Sequence, residues 1–102
     1  MKGIIWGNTL KNASNKLNEV EENYKRYKTA NLIRKIKTKN EHILEFDNGD
    51  YWIAKSARES ARGCRCNISY IDATIPLEFV ETVIKPCTSA GPYQAIKYFL
   101  CR

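Results

Sequence analysis

The spacing of apolar positions changes character several times along the chain, and each change predicts an element. Ile4, Ile5 and Trp6 stand side by side within Lys2–Trp6, a pattern that predicts a short buried strand. Gly7-Asn8-Thr9 interrupts it, and Asn8 or Thr9 can cap a helix starting directly after them. Leu10, Ala13, Leu17, Val20, Tyr24 and Tyr27 then recur at steps of three and four with polar residues between them. That is one face of a helix over about 10–28, with both tyrosines on its apolar seam, roughly 28 Å long at ~1.5 Å per residue. A coiled coil would use the same spacing, but fewer than three heptads with Ala and Tyr in the seam favour packing on a sheet.

Short extended segments come next. Strands are predicted at about 31–37, holding Leu32, Ile33 and Ile36, and at about 41–46, holding Ile43, Leu44 and Phe46. Asp47-Asn48-Gly49-Asp50 is a hairpin signal, because Asn-Gly tolerates the positive φ of a tight turn, and Tyr51–Ala54 is the returning strand. Apolar side chains at both parities near this turn predict partial cover on both hairpin faces. Ser56 and Glu59 have capping-box spacing for a helical turn at 57–62, which Gly63 would end. Ile68–Ile71 reads as a strand ending on Asp72. Pro76 opens a helix with Leu77, Val80 and Ile84 on its apolar face, and Pro86 stops it. Gln94–Cys101 is apolar at both parities, as in a central strand. The order strand–helix, hairpin, strand–helix–strand predicts α/β: one small domain spanning 1–102, with a mixed sheet of about five to six strands, a β-hairpin insertion and two main helices.

Charge adds a candidate surface. The 102 residues carry 17 Lys+Arg and 11 Asp+Glu, a net of +6, and the excess is confined to residues 1–40. Lys25, Arg26, Lys28, Arg34, Lys35, Lys37 and Lys39 follow one another without an acid. Such a run could track a phosphate backbone, each neutralised phosphate releasing a counterion, or could simply be a solvated face. The cysteines offer less. Cys64 and Cys66 form a Cys-x-Cys pair, Cys87 and Cys101 stand apart, and His42 is the one histidine. That spacing does not match a zinc site, so no metal is expected and the thiols read as small apolar residues. No stretch approaches ~18 consecutive apolar residues, so no membrane span is expected, and with too short an apolar start for a signal peptide the expected location is the cytoplasm.

The run 44–72 carries a resemblance. Phe46-Asp47-Asn48-Gly49-Asp50, then Ala61-Arg62-Gly63, then the apolar strand Ile68–Ile71 ending on Asp72, resembles in order and spacing the ATPase core of phage terminase large subunits, the motors that package DNA. Ile4–Trp6 with the 10–28 helix resembles the strand and helix after that family's phosphate-binding loop, and Gln94–Cys101 resembles its next core strand. The resemblance implies a P-loop-NTPase-like core without the strand of the phosphate-binding loop. It makes Asp72 the counterpart of the aspartate that helps hold Mg²⁺, and Arg62 the counterpart of an arginine proposed to reach a neighbouring subunit's nucleotide.

The departures are as informative. No G-x-x-x-x-G-K-[ST] occurs, and Ala73 stands where the family has the glutamate that positions the attacking water. The expectation is a chain that is not an enzyme, takes no cofactor and works through protein contacts. The alternative is a small basic nucleic-acid-binding module using residues 25–39, with weak binding. Asp72 could equally be a strand-end aspartate accepting turn hydrogen bonds, and Arg62 could pair with a carboxylate; Arg58 and Arg65 read as solvated or salt-bridged. Loss of an interior strand predicts either an open edge at Ile68–Ile71 or Gln94–Cys101, inviting a homodimer or partner protein, or direct pairing of these two strands, leaving a closed monomer.

Overall fold

A computed structural model describes residues 1–57, 65–88 and 95–100. Six strands form one sheet: β1 (Lys2–Gly7), β2 (Leu32–Lys37), β3 (Glu41–Phe46), β4 (Tyr51–Ser56), β5 (Ile68–Asp72) and β6 (Ala95–Phe99), in the order β2-β3-β4-β1-β5-β6. β1 lies inside the sheet, parallel to both β4 and β5, and β5 is parallel to β6. β2, β3 and β4 form an antiparallel meander. The mixed α/β sheet of the sequence reading is therefore present. Ile4, Ile5 and Trp6 are fully buried because both faces of β1 are covered, which is why its sequence runs apolar without alternation.

Helix α1 (Leu10–Arg26) covers one face. Thr9 is its N-cap, its hydroxyl accepting from the Asn12 N–H at 3.2 Å. Ala13, Leu17 and Val20 pack on Ile5, Leu44, Phe46, Trp52 and Ala54. A Cβ on Gly7 would collide with Thr9 and Ala13, so glycine at the end of β1 lets the helix begin directly against the sheet. The helix stops two residues earlier than its apolar spacing suggests. The Lys28 and Thr29 N–H groups bond back to the Lys25 and Tyr24 carbonyls, closing a Schellman motif with Lys28 left-handed at φ 50°. The seam accordingly ends at Tyr24, which stacks on Phe46 at 3.9 Å between ring centres, while Tyr27 is 70% exposed rather than core.

The opposite face of β1 and β5 is covered by a second helix in three continuous pieces: α2 (Leu77–Phe79), a π-helical stretch (Val80–Ile84) and α3 (Lys85–Cys87). Pro86 does not stop it. Proline has no N–H for the preceding turn and its ring crowds the carbonyl four residues back, and the helix widens just before it, the Lys85 N–H bonding the Val80 carbonyl. Val80, Val83, Ile84 and Cys87 pack on Ile4, Trp6, Cys66, Ile71 and Ile75. Cys66 and Cys87 are buried; Cys64, Cys101 and the turn expected at 57–62 lie outside the described residues. No helix among the described residues is long and apolar enough to cross a membrane.

Gln94–Cys101 reads as a central strand, yet β6 is the last strand of the sheet: among the described residues nothing pairs with its outer side. Ile68–Ile71, the other strand for which an open edge was expected, is paired on both sides, with β1 and directly with β6, so the two strands adopt the alternative of direct pairing.

Candidate functional site

The carboxyl ends of β1, β5 and β6 lie together. From β1 the chain leaves onto the α1 face, and from β5 it leaves onto the opposite face. The strand ends Gly7 and Asp72 therefore flank a topological switch point, the place where open α/β sheets form ligand crevices. Asp72 lies at this point. Its side chain is fully buried. Oδ2 accepts from the Asn8 N–H at 3.1 Å and from Asn12 Nδ2 at 3.2 Å; Oδ1 accepts from the Thr74 N–H at 3.0 Å and from Thr74 Oγ1 at 2.8 Å. Burial alone would raise its pKa, but these donors outweigh burial and hold the carboxyl below the usual carboxylate range. Asp72 thus ties the end of β5 to the turn that starts α1.

The residues around Asp72 do not fit the Mg²⁺ that the resemblance implies. Each carboxylate oxygen already accepts two hydrogen bonds, the next side chain is the exposed methyl of Ala73, and among the described residues no group of three His, Cys, Asp or Glu side chains converges. The strand-end alternative raised for Asp72 describes its contacts. Asn12 and Thr74 were missed by sequence reading. Asp72-Ala73-Thr74 carried the available signal, since an aspartate accepting the N–H two residues on is an Asx-turn. Asn12 had none, because its partner is 60 positions away.

Beside this point a cleft of 670 Å³ opens between α1 and β6, lined by Asn15, Lys16, Glu19, Ala73, Phe99 and Leu100 among others. Lys16 Nζ lies 5.5 Å and 5.8 Å from the ring centres of Tyr70 and Phe99 and 3.2 Å from Glu19. On the other face, Ser69 joins Trp6 Nε1 at 3.1 Å to the Thr88 hydroxyl at 2.6 Å, with Cys66 Sγ at 3.3 Å. Among the described residues no buried side-chain polar atom lacks a partner, so this network is closed.

The basic run divides when folded. Lys25 and Lys35 converge on Glu21 at 3.4 Å and 2.9 Å, and Arg34 reaches Glu45 at 4.0 Å. Lys35, hydrogen bonding first, and then Lys25 hold Glu21 below its usual pKa against the opposing effect of its burial. Lys25 and Arg26 lie in the last turn of α1, where positive charge suits the helix dipole. Among the described residues no ion pair engages Arg26, Lys28, Lys37 or Lys39. Lys35 and Lys37 belong to the α1 face of β2: His42, opposite Lys37, has Nδ1 2.8 Å from Ser14 Oγ of α1, and its pKa is lowered by burial and by these two lysines. Arg65 is exposed, whereas Arg62 and Arg58 lie outside the described residues.

The architecture of this sheet is similar to that found in large terminases. The chain matches crystal structures of the large terminase from a thermophilic bacteriophage at TM-scores of 0.62 and 0.64 with 15% sequence identity, and the same protein in complex with ADP at a TM-score of 0.60 with 18% identity. Each match covers 98% of this chain and 24–26% of the terminase, so the chain spans about a quarter of the length of the structures it resembles. No family model and no curated protein matches the sequence.

Proposed function

We propose that this chain is a non-catalytic, terminase-like domain of phage or mobile-element origin that acts through protein–protein contacts. The observation that carries this reading is the engagement of Asp72. A carboxylate that helps hold a nucleotide's metal must present free oxygen lone pairs to the site, whereas Asp72 gives both oxygens to Asn8, Asn12 and Thr74. Ala73 beside it has no group with which to orient a water molecule. The similarity to a large terminase supports the fold of such a domain, and the outer side of β6, which nothing pairs with among the described residues, is where such contacts would form.

The test is direct. Isothermal titration of the 102-residue chain with MgATP should give no heat of binding, and phosphate release should match that of an Asp72→Ala control. Magnesium-dependent turnover above that control would overturn the reading. Nucleic-acid binding through residues 25–39 is the weaker alternative, because Glu21 and Glu45 already engage three of the seven basic side chains.

A further inference from the structure

β6 is short of the features that keep an edge strand from recruiting another. Ala95–Phe99 contains one charged residue, Lys97, and Leu100 just beyond it is 77% exposed. The direction of its backbone groups can be read from one bond. The Ala73 N–H donates to the Phe99 carbonyl at 2.8 Å, so Phe99 faces β5. Peptide groups alternate along a strand, so Lys97 also faces β5, while the N–H and C=O groups of Ile96 and Tyr98 point away from the sheet.

We propose that two copies of this chain pair through β6, antiparallel about a twofold axis at Tyr98, joining their sheets into one. This rests on the reading that the chain works through protein contacts, and it adds the partner and the register. A twofold axis normal to the sheet keeps residues of like parity opposite each other, so Ile96, Lys97, Tyr98 and Phe99 are the centres that pair three or more described residues; the Phe99 centre pairs only 98–100 and leaves the outward groups of Ile96 without a described partner. The Lys97 centre sets two ammonium groups opposite each other in a non-hydrogen-bonded pair, where side chains are closest and like charges repel. The Ile96 centre shifts the pairing away from Phe99 and Leu100. The Tyr98 centre uses only residues 96–100. It places Tyr98 opposite its own copy and Ile96 opposite Leu100, each pair exchanging outward N–H and C=O groups. It also sets Lys97 opposite Phe99, where an ammonium over a ring is attracted rather than repelled. The one edge charge, a defect in the Lys97 register, becomes a favourable contact in this one.

β2, at the other end of the sheet, does not compete. Arg34, Lys35 and Lys37 line it, and its ladder is irregular between Leu32 and Arg34. Lysines and bulges of this kind discourage strand addition.

The backbone assignment supplies the experiment. Proline at position 98 removes an N–H that points outward and leaves the β5–β6 ladder its donors, as edge strands tolerate. Proline at position 97 removes an inward N–H. In sedimentation equilibrium without nucleotide, the wild-type chain should form a reversible dimer of 11.8 kDa protomers with a dissociation constant on the order of tens of micromolar, in keeping with a small interface. Tyr98→Pro should weaken it by more than ~10-fold with an unchanged circular-dichroism spectrum, whereas Lys97→Pro should lose folded structure. Tyr98→Lys provides a variant with an intact backbone: the side chain is 57% exposed, so the fold should persist while two ammonium groups meet at the axis. A wild-type monomer at several hundred micromolar, or a dimer that Tyr98→Lys leaves intact, would overturn the proposal. Neither result bears on nucleotide binding, so failure here and failure of the non-catalytic reading are separable.

Discussion

The β2 and β6 rims of the sheet end in the same kind of backbone, a row of peptide groups without a neighbour among the described residues, but they differ in almost every other respect. β2 belongs to an antiparallel meander closed by local turns, is irregular after Leu32, and carries Arg34, Lys35 and Lys37. β6 is parallel to its neighbour, reached from the far side of a helix, and carries Lys97 alone among charges. The difference follows from chain connectivity. A meander's edge is present in every partly folded form, so charge and irregularity on it suppress mispairing early. A parallel strand is laid down by a long crossover, and its sequence is apolar on both faces because such strands commonly lie inside a sheet. β6 has the composition of an interior strand at what is, among the described residues, the edge of the sheet, and the proposed pairing rests on that mismatch.

The largest expected way to break the contrast is at Asp72, which ties the end of β5, the strand beside β6, to the start of α1. Asp72→Ala removes the acceptor for the part-buried Asn8 N–H, Thr74 N–H, Thr74 hydroxyl and Asn12 amide, and should destabilise the chain by about 1–3 kcal/mol, the range for hydrogen bonds to a charged group whose donors water can still reach. The measurement is urea denaturation. Hydrogen exchange should accelerate more in β5 and β6 than in β2 and β3. The pH dependence has a definite sign. The folded-state pKa of Asp72 is depressed, so its contribution is present above the unfolded value near ~3.9 and is lost as pH falls through the folded value. The stability gap between wild type and variant should therefore begin to narrow as pH falls below about 4 and keep narrowing towards the depressed folded value. A gap that persists undiminished in acid would mean that Asp72 acts through packing rather than charge.

A smaller effect, of opposite sign, is expected at the other end of the molecule, in the turn that feeds β2. Lys28 adopts a left-handed conformation that suits glycine, and the Schellman bonds hold it there. Lys28→Gly should stabilise the chain by up to about 1 kcal/mol, the relief of a left-handed penalty being offset in part by the greater freedom of glycine when unfolded. A loss of stability would show that the Lys28 side chain contributes more than its backbone costs.

This lysine also explains why the sequence predicted too long a helix. Helix ends are legible when glycine marks them, and here the stop is set by a residue whose own preference is helical, so Tyr27 was placed on the seam and emerged at the surface. The same logic runs through the rest of the fold. The strands of the meander and their turn were legible because Asn48-Gly49 and the apolar clusters act over a few residues; Gly49 indeed has φ 91°. Thr9 was legible as a cap for the same reason. The passage of the second helix through Pro86 was not, because proline reports only that a hydrogen bond is missing and widening the helix is one of several ways to absorb that loss. At the candidate site the sequence made Asp72 conspicuous but left its role open between two readings, since its decisive partners Asn8 and Asn12 come from the other end of the chain.

The smallest expected effect sharpens what the charges on the β2 side are for. Lys35 is not a clean probe, since it is joined to Glu21 at 2.9 Å and its loss would disturb the α1–β2 contact. Lys37 and Lys39 are exposed, and among the described residues no ion pair engages them. If the patch tracks a phosphate backbone, the Lys37→Gln, Lys39→Gln double variant should bind duplex DNA more weakly. Its plot of log affinity against log salt should lose up to about 2 units of slope, one near ~0.9 for each phosphate contact removed. If the charges serve instead to guard the edge, the wild-type chain should show no binding even at low salt, and the double variant should gain a salt-insensitive tendency to self-associate that Tyr98→Pro does not suppress. Fluorescence anisotropy with a labelled duplex, followed by sedimentation of the same samples, separates the two. We expect the second pattern, because charge on an exposed edge needs no ligand to be useful, whereas four of the seven basic residues are already assigned to Glu21, to Glu45 or to the dipole of α1.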